Sequence, residues 1–143
     1  GRTTHSLLQA MSHFNPKFIF TAPDGLKMPK EYKEFLDRRG IEYIETTSLE
    51  EHLNDCDILY MTRVQQERFT DLEEYERVKD CFVLDAEKMR GAKEHMAVLH
   101  PLPRVNEISV EVDDDPRAAY FRQVQYGVYV RMALILTLLG IEV

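Results

Sequence analysis

Ile58-Leu59-Tyr60-Met61-Thr62-Arg63-Val64-Gln65-Gln66-Glu67-Arg68 begins as a short apolar run and ends in charge. An unbroken apolar run of this length reads as a strand buried on both faces, the kind found in parallel sheets. In an open α/β sheet, ligands collect at the carboxyl ends of the strands. Arg63 and Gln65 emerge at that end. The planar fork of arginine matches a carboxylate or phosphate in two-point contact. The segment therefore predicts a parallel sheet and, at its edge, a site for a small anion.

The flanking sequence supplies the rest of such a sheet. Upstream, residues 3–13 predict a helix with Leu7, Leu8 and Met11 on one face, and residues 17–21 a strand. Residues 29–39 predict a helix that has Pro29 in its first turn, an apolar stripe of Tyr32, Phe35 and Leu36, and Gly40 past its end. Residues 41–45 follow as a strand, then a short helix over 48–53 capped by Ser48 with Glu51 three residues on. Downstream come a charged helix over 71–78, an extended piece over 82–84 and a helical turn over 86–90 stopped by Gly91. Met96-Ala97-Val98-Leu99 is another buried strand, and Pro116 opens a long helix that runs to about Leu139. This alternation predicts an α/β fold: three layers, a mostly parallel sheet with helices on both faces, Rossmann-like in outline. The six glycines form neither GxGxxG nor a P-loop, so dinucleotide binding has no support.

At 143 residues the chain is expected to be a single domain. Its net charge of −7 argues against nucleic acid or an anionic membrane as a bulk partner. No apolar run reaches the ~20 residues of a membrane span. No signal peptide is visible and the chain begins at Gly1, which predicts a cytoplasmic protein and a fragment of something longer. Cys56 and Cys81 have no CxxC spacing and read as buried thiols of a reducing compartment. The five histidines are scattered, so neither a metal site nor a cofactor is expected.

Three groups fall where a site is expected. Arg63 and Gln65 follow one strand. His100-Pro101-Leu102-Pro103 follows another, and two prolines in four residues stiffen a turn whose carbonyls can accept hydrogen bonds from a ligand. Arg2 precedes the first helix, whose unpaired N–H groups and dipole favour an anion. Each has a plainer reading: Arg63 can pair with Glu67, Arg2 can be a solvated terminal residue, and the prolines can make a simple turn. Asp71-Leu72-Glu73-Glu74-Tyr75-Glu76 reads as a solvated helix face. Asp113-Asp114-Asp115 lacks EF-hand spacing and reads as negative charge at the start of the helix opened by Pro116. Tyr120, Val124, Met132, Leu134, Ile135 and Leu138 read as a core-packing stripe, with Arg117, Arg122 and Arg131 available to acids or a neighbouring subunit.

Four blocks then carry a family resemblance. Gly1-Arg2-Thr3-Thr4-His5-Ser6-Leu7 resembles the GRTxHSL segment of aspartate carbamoyltransferase catalytic chains, and Arg63 to Arg68 resembles their RxQxER. His100-Pro101-Leu102-Pro103-Arg104-Val105-Asn106-Glu107-Ile108 resembles HPLPRxxEI. Asp115-Pro116-Arg117-Ala118-Ala119-Tyr120-Phe121-Arg122-Gln123 and Tyr129-Val130-Arg131-Met132-Ala133-Leu134 resemble the closing helix. The blocks stand in family order. The resemblance implies transfer of a carbamoyl group from carbamoyl phosphate to L-aspartate, an early step of pyrimidine synthesis. It implies Arg2, Arg63 and Gln65 on the aspartate carboxylates. It also implies the backbone carbonyls of Leu102 and Pro103 on the carbamoyl phosphate side, with a cis Leu102–Pro103 bond.

Some features depart from the family. Gln125-Tyr126-Gly127 stands where many relatives have Glu-Asn-Gly or Gly-Asn-Gly, and Gln66 where lysine is frequent. The STRT-type phosphate motif of the family's amino-terminal half is missing, as is the mobile lysine that a neighbouring subunit of the trimer supplies. The chain is therefore expected to be the aspartate-binding half alone, folded but inactive in isolation. An ornithine carbamoyltransferase domain is the nearest rival. That family usually has HCLP where Pro101 stands here, and an SMG loop that this chain lacks. A non-catalytic module that binds a dicarboxylate or serves assembly is the alternative of another class.

Overall fold

The computed structural model describes residues 2–64 and 71–142; the side chains of Arg2 and Glu74 lie outside that description. Helix α1 (Arg2–Met11) leads through a 3-10 turn to strand β1 (Phe18–Thr21). Helix α2 (Lys30–Arg39) and strand β2 (Tyr43–Thr46) follow, then a 3-10 segment over Glu50–Asp55 and strand β3 (Ile58–Tyr60). Helices α3 (Leu72–Val78) and α4 (Ala86–Arg90) precede strand β4 (Ala97–Leu99). A 3-10 segment over Val110–Asp114 and helix α5 (Tyr120–Leu138) close the described chain.

The residues group into two compact units, one of residues 1–55 with 64–82 and one of residues 56–63 with 83–143. In the first, β1 and β2 pair in parallel from Phe18↔Tyr43 to Thr21↔Thr46. Their core is Leu8 from α1, Leu36 from α2 and Ile41, ringed by Phe18, Phe20, Met28, Tyr32, Phe35 and Tyr43. The stripe expected on α2 is thus the one that packs. Gly40 ends α2 at φ 65°, a left-handed conformation that a side chain would oppose, and its N–H bonds back to Leu36 and Asp37. The Ser48 hydroxyl accepts from the Glu51 N–H at 3.3 Å as the sequence predicts, but the segment it opens is 3-10 rather than α.

In the second unit β3 and β4 pair in parallel, Ile58↔Ala97 to Tyr60↔Leu99. The Ala97 N–H reaches Asp57 and the Met61 N–H reaches Leu99, both at 2.9 Å. On the opposite side of β4 the Val98 N–H donates to Arg117 and the Ala119 N–H donates to Val98, again at 2.9 Å. Val98 is wholly buried, with Met61, Leu84, Met89, Met96, Ile108, Val112 and Tyr120 making up the apolar interior of this unit. The α/β class is as expected. Every strand pairing among the described residues is parallel, and the strands come as two two-stranded ladders, one in each unit.

Other expectations need correction. The last helix begins at Tyr120, not Pro116, because the backbone of residues 117–119 is committed to β4. Asp113 and Asp115 do not serve the helix start; they pair with Arg104 and Arg117. The α5 stripe is not core among the described residues: Tyr120 is fully buried, but Val124 is 45% exposed, Met132 56% and Leu138 78%. Apolar side chains surround α5, Phe121, Val128, Tyr129 and Val130 included, so spacing alone singles out no buried face. Cys81 is exposed rather than buried, and Cys56 is intermediate.

These burials predict opposite outcomes for two leucines. Leu36→Ala removes a side chain with 0% exposure and should cost about 2–5 kcal/mol in urea unfolding of this chain. Leu138→Ala should change it by less than about 0.5 kcal/mol. Equal losses would contradict the assignment of core and surface.

Candidate functional site

The parallel register of the second unit places two of the expected groups at one edge. Tyr60 and Leu99 are partners, and both strands run in the same direction. Arg63 lies three residues beyond Tyr60 and Leu102 three beyond Leu99, so both leave from the carboxyl edge of the same ladder. This is the edge at which α/β sheets bind ligands. Arg63 is half-buried. Gln65 lies outside the described residues, as do Gln66, Glu67 and Arg68. The backbone of Arg2 opens α1 in the first unit, and its side chain lies outside the description.

The turn after β4 is bound at several points. The His100 N–H donates to the Gln123 side chain at 2.9 Å. Gln123 thus ties α5 to the end of β4. The Leu102 N–H donates to His100 Nδ1 at 2.8 Å. His100 Nε2 meets Glu107 Oε1 at 2.7 Å, and the Val105 N–H donates to Glu107 Oε2 at 3.0 Å. His100 and Glu107 are 1% and 6% exposed. The Leu102–Pro103 bond is cis, and Leu102 has φ 49°. A left-handed leucine is uncommon, and such conformations persist where surrounding bonds over-determine them.

These bonds fix the protonation of the ring. A backbone N–H can only donate, so Nδ1 must accept, and the single proton of the neutral imidazole sits on Nε2 facing Glu107. Burial lowers the pKa of His100, Arg104 lowers it further, and the hydrogen bond and charge of Glu107 oppose both. Behind the turn Arg104 grips Asp113 with both Nη atoms, the Nη2–Oδ2 contact being 2.6 Å. The Tyr120 hydroxyl donates to the same carboxylate. Their mutual hydrogen bond raises the pKa of Arg104 and lowers that of Asp113, and burial beside Asp113 pushes Tyr120 up to about 12. Arg104 is therefore engaged inside the protein.

Sequence reasoning expected Arg63, Arg2 and the His100–Pro103 turn on one sheet edge; the structure has Arg63 and the turn there, while the Arg2 backbone belongs to α1 of the other unit. That reasoning did not single out Gln123, Glu107 or the Arg104–Asp113 pair. Glu107 stands in the same motif as His100, seven residues on, but nothing in that spacing shows that the chain doubles back. Among the described residues no group of three His, Cys, Asp or Glu side chains could hold a metal ion.

Residues 1–138 match the family model described as aspartate/ornithine carbamoyltransferase, Asp/Orn binding domain. The chain belongs to this family. It is 60% identical over 143 residues to an aspartate carbamoyltransferase catalytic subunit of Clostridium novyi, covering 99% of this chain and 47% of that protein. It superposes on the catalytic subunit of M. jannaschii aspartate transcarbamoylase with a TM-score of 0.89 at 44% identity, covering 98% of this chain and 46% of the other. It superposes on Trypanosoma cruzi aspartate transcarbamoylase, solved in complex with carbamoyl phosphate and aspartate, with a TM-score of 0.86 at 43% identity, covering 94% and 46%. This member of the carbamoyltransferase family thus spans about half the length of the curated relatives it matches.

His100 predicts a pH dependence. In the unfolded chain the ring takes up its proton near its ordinary pKa of 6.5; folded, it does so only at lower pH. Between those values the unfolded state binds more protons, so stability falls as pH drops. Urea titrations from pH 7 to 5 should show this slope reduced in His100→Gln relative to wild type. An unchanged slope would mean that the ring charges equally in both states.

Proposed function

We propose that this chain is the L-aspartate-binding half of an aspartate carbamoyltransferase catalytic chain. The whole enzyme joins carbamoyl phosphate and L-aspartate to give N-carbamoyl-L-aspartate and phosphate. The observation that carries the reading is the shared carboxyl edge of β3 and β4, with Arg63 and the Leu102–Pro103 turn leaving from it, in a chain 60% identical to an aspartate carbamoyltransferase subunit.

In this reading Arg63, with Gln65 and Arg2, holds the two carboxylates of aspartate. Arginine keeps its proton, so it binds these anions without protonating the α-amino group, which must be neutral to attack. The amine nitrogen forms a bond to the carbamoyl carbon, the carbon–oxygen bond to phosphate breaks, and the amine proton leaves on the phosphate. The carbonyls of Leu102 and Pro103 orient the carbamoyl amide by accepting its N–H groups. Orientation of two substrates and charge stabilisation supply the rate, with no covalent enzyme intermediate. The rest of the site comes from an amino-terminal half outside these residues, in a cytoplasmic homotrimer. The apolar exterior of α5 supports a further partner surface of this kind. No described helix is long and apolar enough to cross a membrane.

The relatives support aspartate over ornithine as the acceptor. An ornithine site needs an acid for the side-chain ammonium, where this edge offers Arg63.

A chimaera with residues 1–143 in place of the matching segment of the Clostridium novyi subunit tests the assignment. It should form N-carbamoyl-L-aspartate, while the 143-residue chain alone should form none. Arg63→Ala in the chimaera should raise the KM for aspartate about 10- to 100-fold, the loss of one charged hydrogen-bonding group. Turnover by the isolated chain, or a preference for ornithine, would sink the reading.

A further inference from the structure

We propose that His100 and Glu107 are positioning residues for carbamoyl phosphate: Glu107 fixes the imidazole proton on Nε2, and the bare Nδ1 holds the Leu102 amide so that the Leu102 and Pro103 carbonyls keep their places. The inference rests on the reading of those two carbonyls given above.

A count of donors and acceptors carries it. Three donors meet here: the Leu102 N–H, the Val105 N–H and the single imidazole N–H. Three acceptors meet them: Nδ1 and the two oxygens of Glu107. Only one arrangement satisfies all three. If the ring proton moved to Nδ1 it would face the Leu102 N–H, donor against donor. If Glu107 became an amide, its NH2 would face either the Val105 N–H or the ring N–H. In the second case the ring would have to change tautomer, and the clash would pass to Leu102. The carboxylate is thus required for its two acceptors as well as its charge.

The bonds also end where a positioning role needs them. Of the three side-chain contacts that the His100 ring and the Glu107 carboxylate make among the described residues, one is internal and two fall on amides of the turn itself, at Leu102 and Val105. The backbone of the pair anchors it on two sides, the His100 N–H on the Gln123 side chain of α5 and the Glu107 carbonyl on the Leu84 N–H. Burying a carboxylate and an imidazole costs more than an apolar pair in the same space. An apolar pair would leave Leu102, already at φ 49°, with no acceptor for its amide. The ring has no access to substrate as an acid or base, because both nitrogens are occupied by the protein and it is 1% exposed.

Two substitutions of His100 separate positioning from packing. Both remove the ring, but they place the side-chain amide differently. In His100→Asn the shorter side chain lets the amide oxygen stand where Nδ1 stood and accept from Leu102. In His100→Gln the amide can still donate to Glu107 but offers Leu102 nothing. In the Clostridium novyi chimaera, His100→Gln should weaken carbamoyl phosphate binding about tenfold, one lost hydrogen bond, and His100→Asn no more than about threefold. The KM for aspartate at saturating carbamoyl phosphate should change less than about twofold in both. Equal losses in the two variants, or parallel loss of both substrates, would overturn the positioning role while the wild-type chimaera still turned over. A wild-type chimaera that forms no N-carbamoyl-L-aspartate would overturn the functional reading and this inference with it. Nitrogen-15 NMR of His100 in the unaltered chain gives a test independent of any variant. A proton on Nε2 at neutral pH supports the proposal, and a proton on Nδ1 overturns it.

Discussion

Backbone hydrogen bonds leave β4 no free edge. Alternate residues of a strand direct their N–H and C=O groups to opposite sides. Here Ala97 and Leu99 face β3 while Val98 faces residues 117 and 119. A three-residue strand is thereby held from both sides and fully buried at Val98. This constraint decides much else. It denies residues 117–119 to α5, fixes where the chain leaves the sheet at His100, and brings Arg63 and Leu102 to one edge.

Polar contacts extend the constraint to the turn beyond that strand. Gln123 ties the end of β4 to α5, the His100–Glu107 pair secures the Leu102 and Val105 amides, and Asp113 holds Arg104 from behind. Most of these groups are partly or wholly shielded from water, where an unmade hydrogen bond is costly, so the arrangement favours one geometry. Such fixed geometry is what a substrate-orienting surface needs, since misplacement of carbonyl acceptors by a fraction of an ångström loses the alignment of the reacting atoms.

The alternation of apolar runs with helical stretches made the α/β class and most element positions legible in the sequence, and Gly40 marked the end of α2 where the structure has it. The common edge of Arg63 and the Leu102–Pro103 turn was legible because strand ends are visible in an apolar pattern. The remainder depends on contacts distant along the chain. The spacing of Val124, Met132 and Leu138 is helical, but whether such a stripe packs depends on what lies against it, and the described residues cover only Tyr120. Asp113 and Asp115 carry no local mark of the arginines they choose. Nor does Pro116 reveal that the residues after it serve a strand. Glu107 became readable only once the chain was seen to fold back and seat its carboxylate against His100.

The central claim is that Arg63 and the turn after β4 face one bound substrate pair across the carboxyl edge of β3 and β4. A crystal structure of the Clostridium novyi chimaera with N-carbamoyl-L-aspartate and phosphate, the pair bound in a structure of the Trypanosoma cruzi enzyme, tests it most directly. The account predicts a ligand carboxylate on the Arg63 guanidinium and the carbamoyl NH2 within hydrogen-bonding distance of the Leu102 or Pro103 carbonyl. A ligand bound away from that edge, or Arg63 turned from it toward a protein carboxylate, would contradict the account.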